Sequence, residues 1–235
     1  MMSRLFTFGC SFTNYRWSTW ADCLAPEFDE FYNWGQSGGG NHFIFNSVME
    51  ADQRYKFGAG DTVIVCWTDT NREDRYNQAT WKTFGNIYHN KLYNAEYVHR
   101  EFSERGNLIR DLAYIKAVKV LLESCHGLTW KFLSMCEIVN EYHPDDTTSR
   151  CKDVVDLYQD VLGSILPGFD KTVFGGQWPK LAEDPHPTPA EHLAYLDWVL
   201  PGWVTKQETR VKMQEESVNL RKRSDKSGLS EVTRL

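Results

Sequence analysis

A chain of 235 residues with a net charge of −6 can bury the core of one α/β domain, and its acidity argues against a general nucleic-acid binder. Aromatic residues make up 14% of it, nine of them Trp, which excludes a disordered polymer. No run of 18 apolar residues exists to span a membrane. The six cysteines (Cys10, Cys23, Cys66, Cys125, Cys136 and Cys151) form no Cys-x-x-Cys pair and have no His at zinc-ligand spacing. Scattered reduced thiols and no metal site are therefore expected. Met1 to Arg4 lead straight into the first strand, so a cytoplasmic location without a secretory signal is expected.

In chain order, the apolar run over residues 4–9 predicts a short buried strand that Gly9 breaks. A helix from about Ser18 to Ala25 and a strand over 31–34 follow. The run Gly38-Gly39-Gly40 opens a helix from Asn41 to Tyr55, with Ile44, Val48, Ala51 and Tyr55 at helical spacing. Thr62 to Trp67 is a continuous apolar run, as a central parallel strand covered on both faces requires. Residues 71–106 read as an irregular aromatic and polar insertion. A helix over 107–123, a strand over 128–135 and a helix over 153–166 come next. Pro189 to Leu200 is the last clear helix, with Thr188 as its N-cap, Pro189 as first helical residue and Glu191 completing a capping box.

Strands alternating with helices predict a three-layer α/β/α sandwich with a mainly parallel central sheet, of flavodoxin-like type. Residues 1–204 are expected to form this domain. Residues 205–235 are a different kind of sequence, with eight Lys or Arg against five acids. Val204, Val211 and Val218 recur every seven residues, but one apolar residue per heptad cannot hold a coiled coil. A frayed helix or disordered tail is expected there, with docking to a protein partner as the sharper alternative.

Two segments carry chemistry. In Phe8-Gly9-Cys10-Ser11-Phe12-Thr13, Ser11 sits in the turn that leaves the first strand, where its hydroxyl is free of the ladder and near backbone amides. In Glu183-Asp184-Pro185-His186-Pro187-Thr188, His186 lies in a proline-stiffened loop before a helix, and Asp184 can fix its tautomer. His192, inside that helix, is expected to pack or cap. The spacing of Asp184, His186 and His192 is no known zinc pattern. Between these ends, Asn33 to Asn41 offers glycine amides that a bound oxygen could approach. Thr68 to Arg72 reach the same sheet edge, where open α/β sheets bind ligands.

Together the four segments resemble the blocks of the SGNH (GDSL-type) hydrolase family. Gly9 to Thr13 resembles the first block, with Cys10 where the family name has Asp. Asn33 to Asn41 resembles the second, Val63 to Asn71 stands in the place of the third, and Asp184-Pro185-His186 resembles the last. The resemblance covers residues 4 to about 200. It implies a serine esterase with a Ser11–His186–Asp184 triad, the Ser11 and Gly38 amides holding an oxyanion, and no cofactor. The third block has Asp69 where the family has Asn, so Asn71, Thr68 or nothing would supply a third donor. Asp184 and His186 are two apart where the family has three, which leaves Glu183 as an alternative orienter. A small-molecule ester is the implied substrate; the aromatic and polar insertion over 71–106 points to a carbohydrate ester, with Trp81 and several Tyr as a sugar platform or lid, or else it packs as a long excursion over the sheet. The other reading is a catalytically weak or inactive binding or accessory protein on the same fold.

Overall fold

The computed structural model describes residues 2–89, 92–139, 151–171, 184 and 186–232. Its centre is a four-stranded parallel sheet of β1 (Arg4–Phe8), β2 (Glu30–Asn33), β3 (Asp61–Trp67) and β6 (Thr129–Ser134), in the order β2-β1-β3-β6. The order reverses direction between β1 and β3, so a crevice opens at the carboxyl ends of those two strands, the usual place for a ligand in such sheets.

Side-chain alternation along each strand builds a core on either face. Phe6 and Phe8 of β1 join Val63, Val65 and Trp67 of β3 on one side. That side is covered by α2 (Asn41–Tyr55), α4 (Glu104–Ser124), α5 (Lys152–Leu157) and α6 (Gln159–Leu162). Leu5, Ile64, Cys66 and Leu133 point the other way, into a core closed by α1 (Trp20–Leu24) and α7 (Pro189–Val199). All seven residues of β3 are buried, as a strand with helices on both faces must be. The result is the three-layer α/β/α sandwich expected from the sequence.

Three stretches differ from the sequence expectation. Residues 71–106 are largely regular: β4 (Arg72–Asn77) and β5 (Thr80–Asn86) form an antiparallel hairpin, followed by α3 (Ala95–Glu101). Gln78 and Ala79 turn the hairpin with φ of 51° and 62°, the positive values that a two-residue hairpin loop needs. The helix expected over 153–166 is broken at Tyr158 into α5 and α6. The chain then leaves the helix at Gly163, so that Ile165 can form a parallel bridge with Phe132 of β6. Finally, Gln207–Val232 is one helix, α8, laid against α7 with Thr209, Met213 and Ser217 buried. No helix of the described residues is long and apolar enough to cross a membrane.

The hairpin is tied to the sheet through buried polar groups. The N-cap of α2 is Gly40, which has no side chain to cap with, and Asp74 of β4 does that work from 34 residues away. Its carboxylate accepts the Gly40 N–H at 2.9 and 3.1 Å and the Phe43 N–H at 2.9 Å. Burial holds the Asp74 carboxyl above the usual range, although these N–H groups pull it down. Asn41 donates to Thr68 O and to Asp111 of α4, and Arg110 donates to Asp111, Thr70 O and Arg72 O.

Candidate active site

The turn after β1 places Ser11 at the carboxyl edge of the sheet, with the residue 6% exposed. The loop entering α7 brings His186 to it. His186 Nε2 lies 2.9 Å from Ser11 Oγ, and His186 Nδ1 lies 2.7 Å from Asp184 Oδ1. Burial raises the Asp184 carboxyl, but hydrogen bonds from Tyr15 and from the backbone and ring of His186 outweigh it and hold the carboxyl below its ordinary value. An ionised carboxylate only accepts, so Nδ1 carries the proton and Nε2 is the acceptor for the Ser11 hydroxyl. That is the tautomer a general base requires.

The two-residue spacing of Asp184 and His186 has a local explanation. Asp184 Oδ1 accepts both the backbone N–H of His186, at 2.9 Å, and its ring N–H, so a tight turn replaces the longer spacing. Glu183, the other candidate orienter, lies outside the described residues.

Asp184 Oδ2 has two more partners, and the sequence reading missed both. Tyr15 Oη and Arg16 Nη2 each donate to it at 2.6 Å. Burial, together with the bond to Asp184, pushes the Tyr15 phenol up to about 12, so it remains a donor across the ordinary pH range. The Tyr15 ring stacks on the His186 imidazole with centroids 4.1 Å apart and planes 20° apart. Trp17 Nε1 donates to Pro187 O at 2.8 Å, which pins the loop after Ser11 to the loop holding His186. The signal available was an aromatic-basic run, Tyr15-Arg16-Trp17, directly after the serine turn.

The α8 helix braces the same two loops. Ser217 Oγ accepts the Ala190 N–H at 2.7 Å, Glu216 accepts the Ser18 N–H at 3.1 Å, and Arg221 donates to Glu191 at 3.1 Å. Glu191 in turn accepts the Thr188 N–H at 2.6 Å, setting the start of α7 just past His186. His192 is buried against Phe12 and Phe169, and burial drives its imidazole down to about 3, with the neighbouring His186 adding to the effect. It is a neutral packing residue at working pH.

Gly38 lies in the glycine loop after β2 with φ of +76°, and a Cβ there would stand 2.6 Å from Thr83 O. Only glycine fits comfortably. Among the described residues no hydrogen bond engages the N–H of Ser11 or of Gly38. At the end of β3, Asp69 accepts from Asn71 N at 2.9 Å and from Asn86 Nδ2 at 2.6 Å, and Asn71 Oδ1 accepts from Asn107 Nδ2 at 3.3 Å. Thr68 is fully buried and its hydroxyl donates to Met135 Sδ at 3.5 Å. Among the described residues no cluster of His, Cys, Asp and Glu could hold a metal ion.

No family model matches the sequence, and no curated protein matches it. Among solved structures, the chain is similar to an alpha/beta hydrolase enzyme from the metagenome of Lake Arreo, Spain. The identity is 16%, with 87% of this chain and 97% of that chain covered and a TM-score of 0.49. An acetyl xylan esterase from Geobacillus stearothermophilus is similar at 15% identity, with coverages of 87% and 97% and a TM-score of 0.48. A member of the lipolytic G-D-S-L family from Veillonella parvula is similar at 11% identity, with coverages of 84% and 97% and a TM-score of 0.44.

Proposed function

We propose that the protein is a serine hydrolase of carboxylic esters, with Ser11 as nucleophile, His186 as general base and Asp184 as the group that holds the imidazole. The observation that carries this reading is the relay of 2.9 Å from Ser11 to His186 and 2.7 Å from His186 to Asp184. A serine that merely occupied a turn would not need a base aimed at it from 175 residues away.

In the acylation step, His186 Nε2 takes the Ser11 proton while Oγ forms a bond to the ester carbonyl carbon. The carbonyl π pair moves to oxygen, where the N–H groups of Ser11 and Gly38 stabilise it. The imidazolium then protonates the departing alkoxide as the ester C–O bond breaks, leaving an acyl-serine and an alcohol. Water, deprotonated by the same imidazole, releases the acid. Asp184 stays ionised throughout and stabilises the imidazolium.

A small ester, free or carried on a carbohydrate, is the substrate class we infer. The Trp81 ring stands edge-on against His42, Phe43 and Tyr76 and packs on the core, which supports a packing role for it over a sugar platform. The test is hydrolysis of p-nitrophenyl acetate by wild type, Ser11→Ala and His186→Ala. Each substitution should lower kcat on the order of 10⁴-fold. Turnover that survives both would overturn the assignment, and a folded wild type with no turnover would favour the accessory-protein reading.

A further inference from the structure

Arg72 opens β4, and its guanidinium reaches out of the hairpin toward the catalytic edge of the sheet. Nη1 donates to Gly39 O at 3.0 Å and Nη2 contacts Met135 Sδ at 3.1 Å. Gly39 belongs to the loop after β2 and Met135 follows β6, the two flanking strands of the sheet. A guanidinium that touches both lies where these loops converge over the carboxyl ends of β1 and β3. Those ends lead to Ser11 and Thr68. The same Met135 sulfur is contacted by Cys10 Sγ at 3.7 Å and Thr68 Oγ1 at 3.5 Å, so the cation sits beside the residue that precedes Ser11.

This half-buried cation is poorly satisfied. A guanidinium has five N–H groups. Arg72 spends them on one carbonyl and one thioether, a weak acceptor, and its Nε is buried with no partner. Among the described residues no carboxylate lies within salt-bridge distance of it, although its charge helps to pull the Asp74 carboxyl down. Unused donors on a cation held by the loop that contains Gly38 and by the Met135 sulfur that Cys10 also touches form an environment for negative charge.

Of the other candidates for a third donor, Thr68 and Asp69 are removed by their own chemistry. The Thr68 hydroxyl is turned to Met135 and the carboxylate of Asp69 can only accept, whereas Asn71 takes the Asn107 amide on its Oδ1 and keeps its Nδ2 as a donor. We infer that Arg72 is a catalytic residue, donating to the oxyanion beside the Ser11 and Gly38 amides. The inference rests on the esterase reading. The guanidinium faces the oxygen when the carbonyl π pair moves onto it, and that electron pair re-forms the C=O bond when the leaving alkoxide departs.

The test compares wild type, Arg72→Met and Arg72→Lys with p-nitrophenyl acetate and with a fluorophosphonate, after circular dichroism has shown each to be folded. In the Met variant kcat should fall about 100-fold with KM nearly unchanged, since the donor acts on the transition state. Fluorophosphonate labelling of Ser11 should slow in parallel. The Lys variant should retain part of the rate, and millimolar guanidinium should partly restore the Met variant. If the Met variant does not fold, a tenfold or greater loss of kcat in the Lys variant supports the inference and full activity there overturns it. Wild-type kcat in a folded Met variant, or a raised KM with kcat retained, overturns it as well. When wild type labels normally and the variants match it, Arg72 alone is refuted. When wild type neither labels nor turns over, the esterase reading itself fails and this inference with it.

Discussion

Asp74→Ala tests how the hairpin supports the site. The side chain takes two backbone N–H groups at the start of α2, those of Gly40 and Phe43, through three contacts of 2.9 to 3.1 Å. Loss of a helix cap costs about 0.5–2 kcal/mol, and a buried donor left without a partner costs about 1–3 kcal/mol. Against this, removing a carboxylate whose burial holds its pKa above the ordinary range relieves a desolvation cost. The balance is a destabilisation of about 2–3 kcal/mol, with Asp74→Asn in between because one carbonyl oxygen can still accept. Urea unfolding followed by Trp fluorescence reads it. The Gly38 loop adjoins this cap, with Gly85 N–H donating to Gly38 O at 3.1 Å and Thr83 Oγ1 to Ser37 O at 2.8 Å. A loss of kcat of about tenfold should therefore accompany the lost stability. A change below about 0.5 kcal/mol with unaltered kcat would refute the role given to Asp74.

Tyr15→Phe removes one charge-assisted bond to Asp184 and keeps the ring on His186, so kcat should drop about tenfold with KM unchanged. Tyr15→Leu should lose more, and equal rates for the two would mean that the stacked ring contributes nothing. Burial raises Asp111 from the ordinary 3.8 to about 6, despite the Arg110 bond. The native state thus holds a proton there that the unfolded chain has lost, and between these values this group lowers stability as pH rises. The stability of wild type relative to Asp111→Asn should accordingly fall between pH 4 and 7, by at most about 3 kcal/mol; a difference that rises with pH contradicts the sign. Met213→Ala, at a side chain 1% exposed between α7 and α8, should cost about 2–4 kcal/mol in urea unfolding. A neutral result would mean that α8 is not docked.

The parts of the fold that were legible in the sequence are those where burial wrote a pattern. The unbroken apolar run of β3 and the helical spacing of Ile44, Val48 and Ala51 fixed a strand and a helix whose bounds the structure nearly repeats. The hairpin was illegible for the opposite reason. Asp74 is the one buried residue of β4, so no alternation marks it, and its turn is made by Gln78 and Ala79 where a glycine or asparagine would have given the signal. The α8 helix buries Thr209, Met213 and Ser217 at helical spacing, but two of these are polar, while Val211 and Val218, which caught the eye, are exposed. At the site, Ser11, Asp184 and His186 announced themselves through turn and loop chemistry. Tyr15, Arg16 and Arg72 did not, because what each does depends on a partner brought close only by folding, 169, 168 and 63 residues away.

The most direct measurement is mass-spectrometric mapping of the adduct formed by a fluorophosphonate on the folded protein. A serine nucleophile served by His186 should give one adduct, on Ser11, formed at least about 100-fold more slowly in His186→Ala. An adduct elsewhere, none at all, or an undiminished rate in His186→Ala would contradict the assignment of Ser11 and His186 as nucleophile and base.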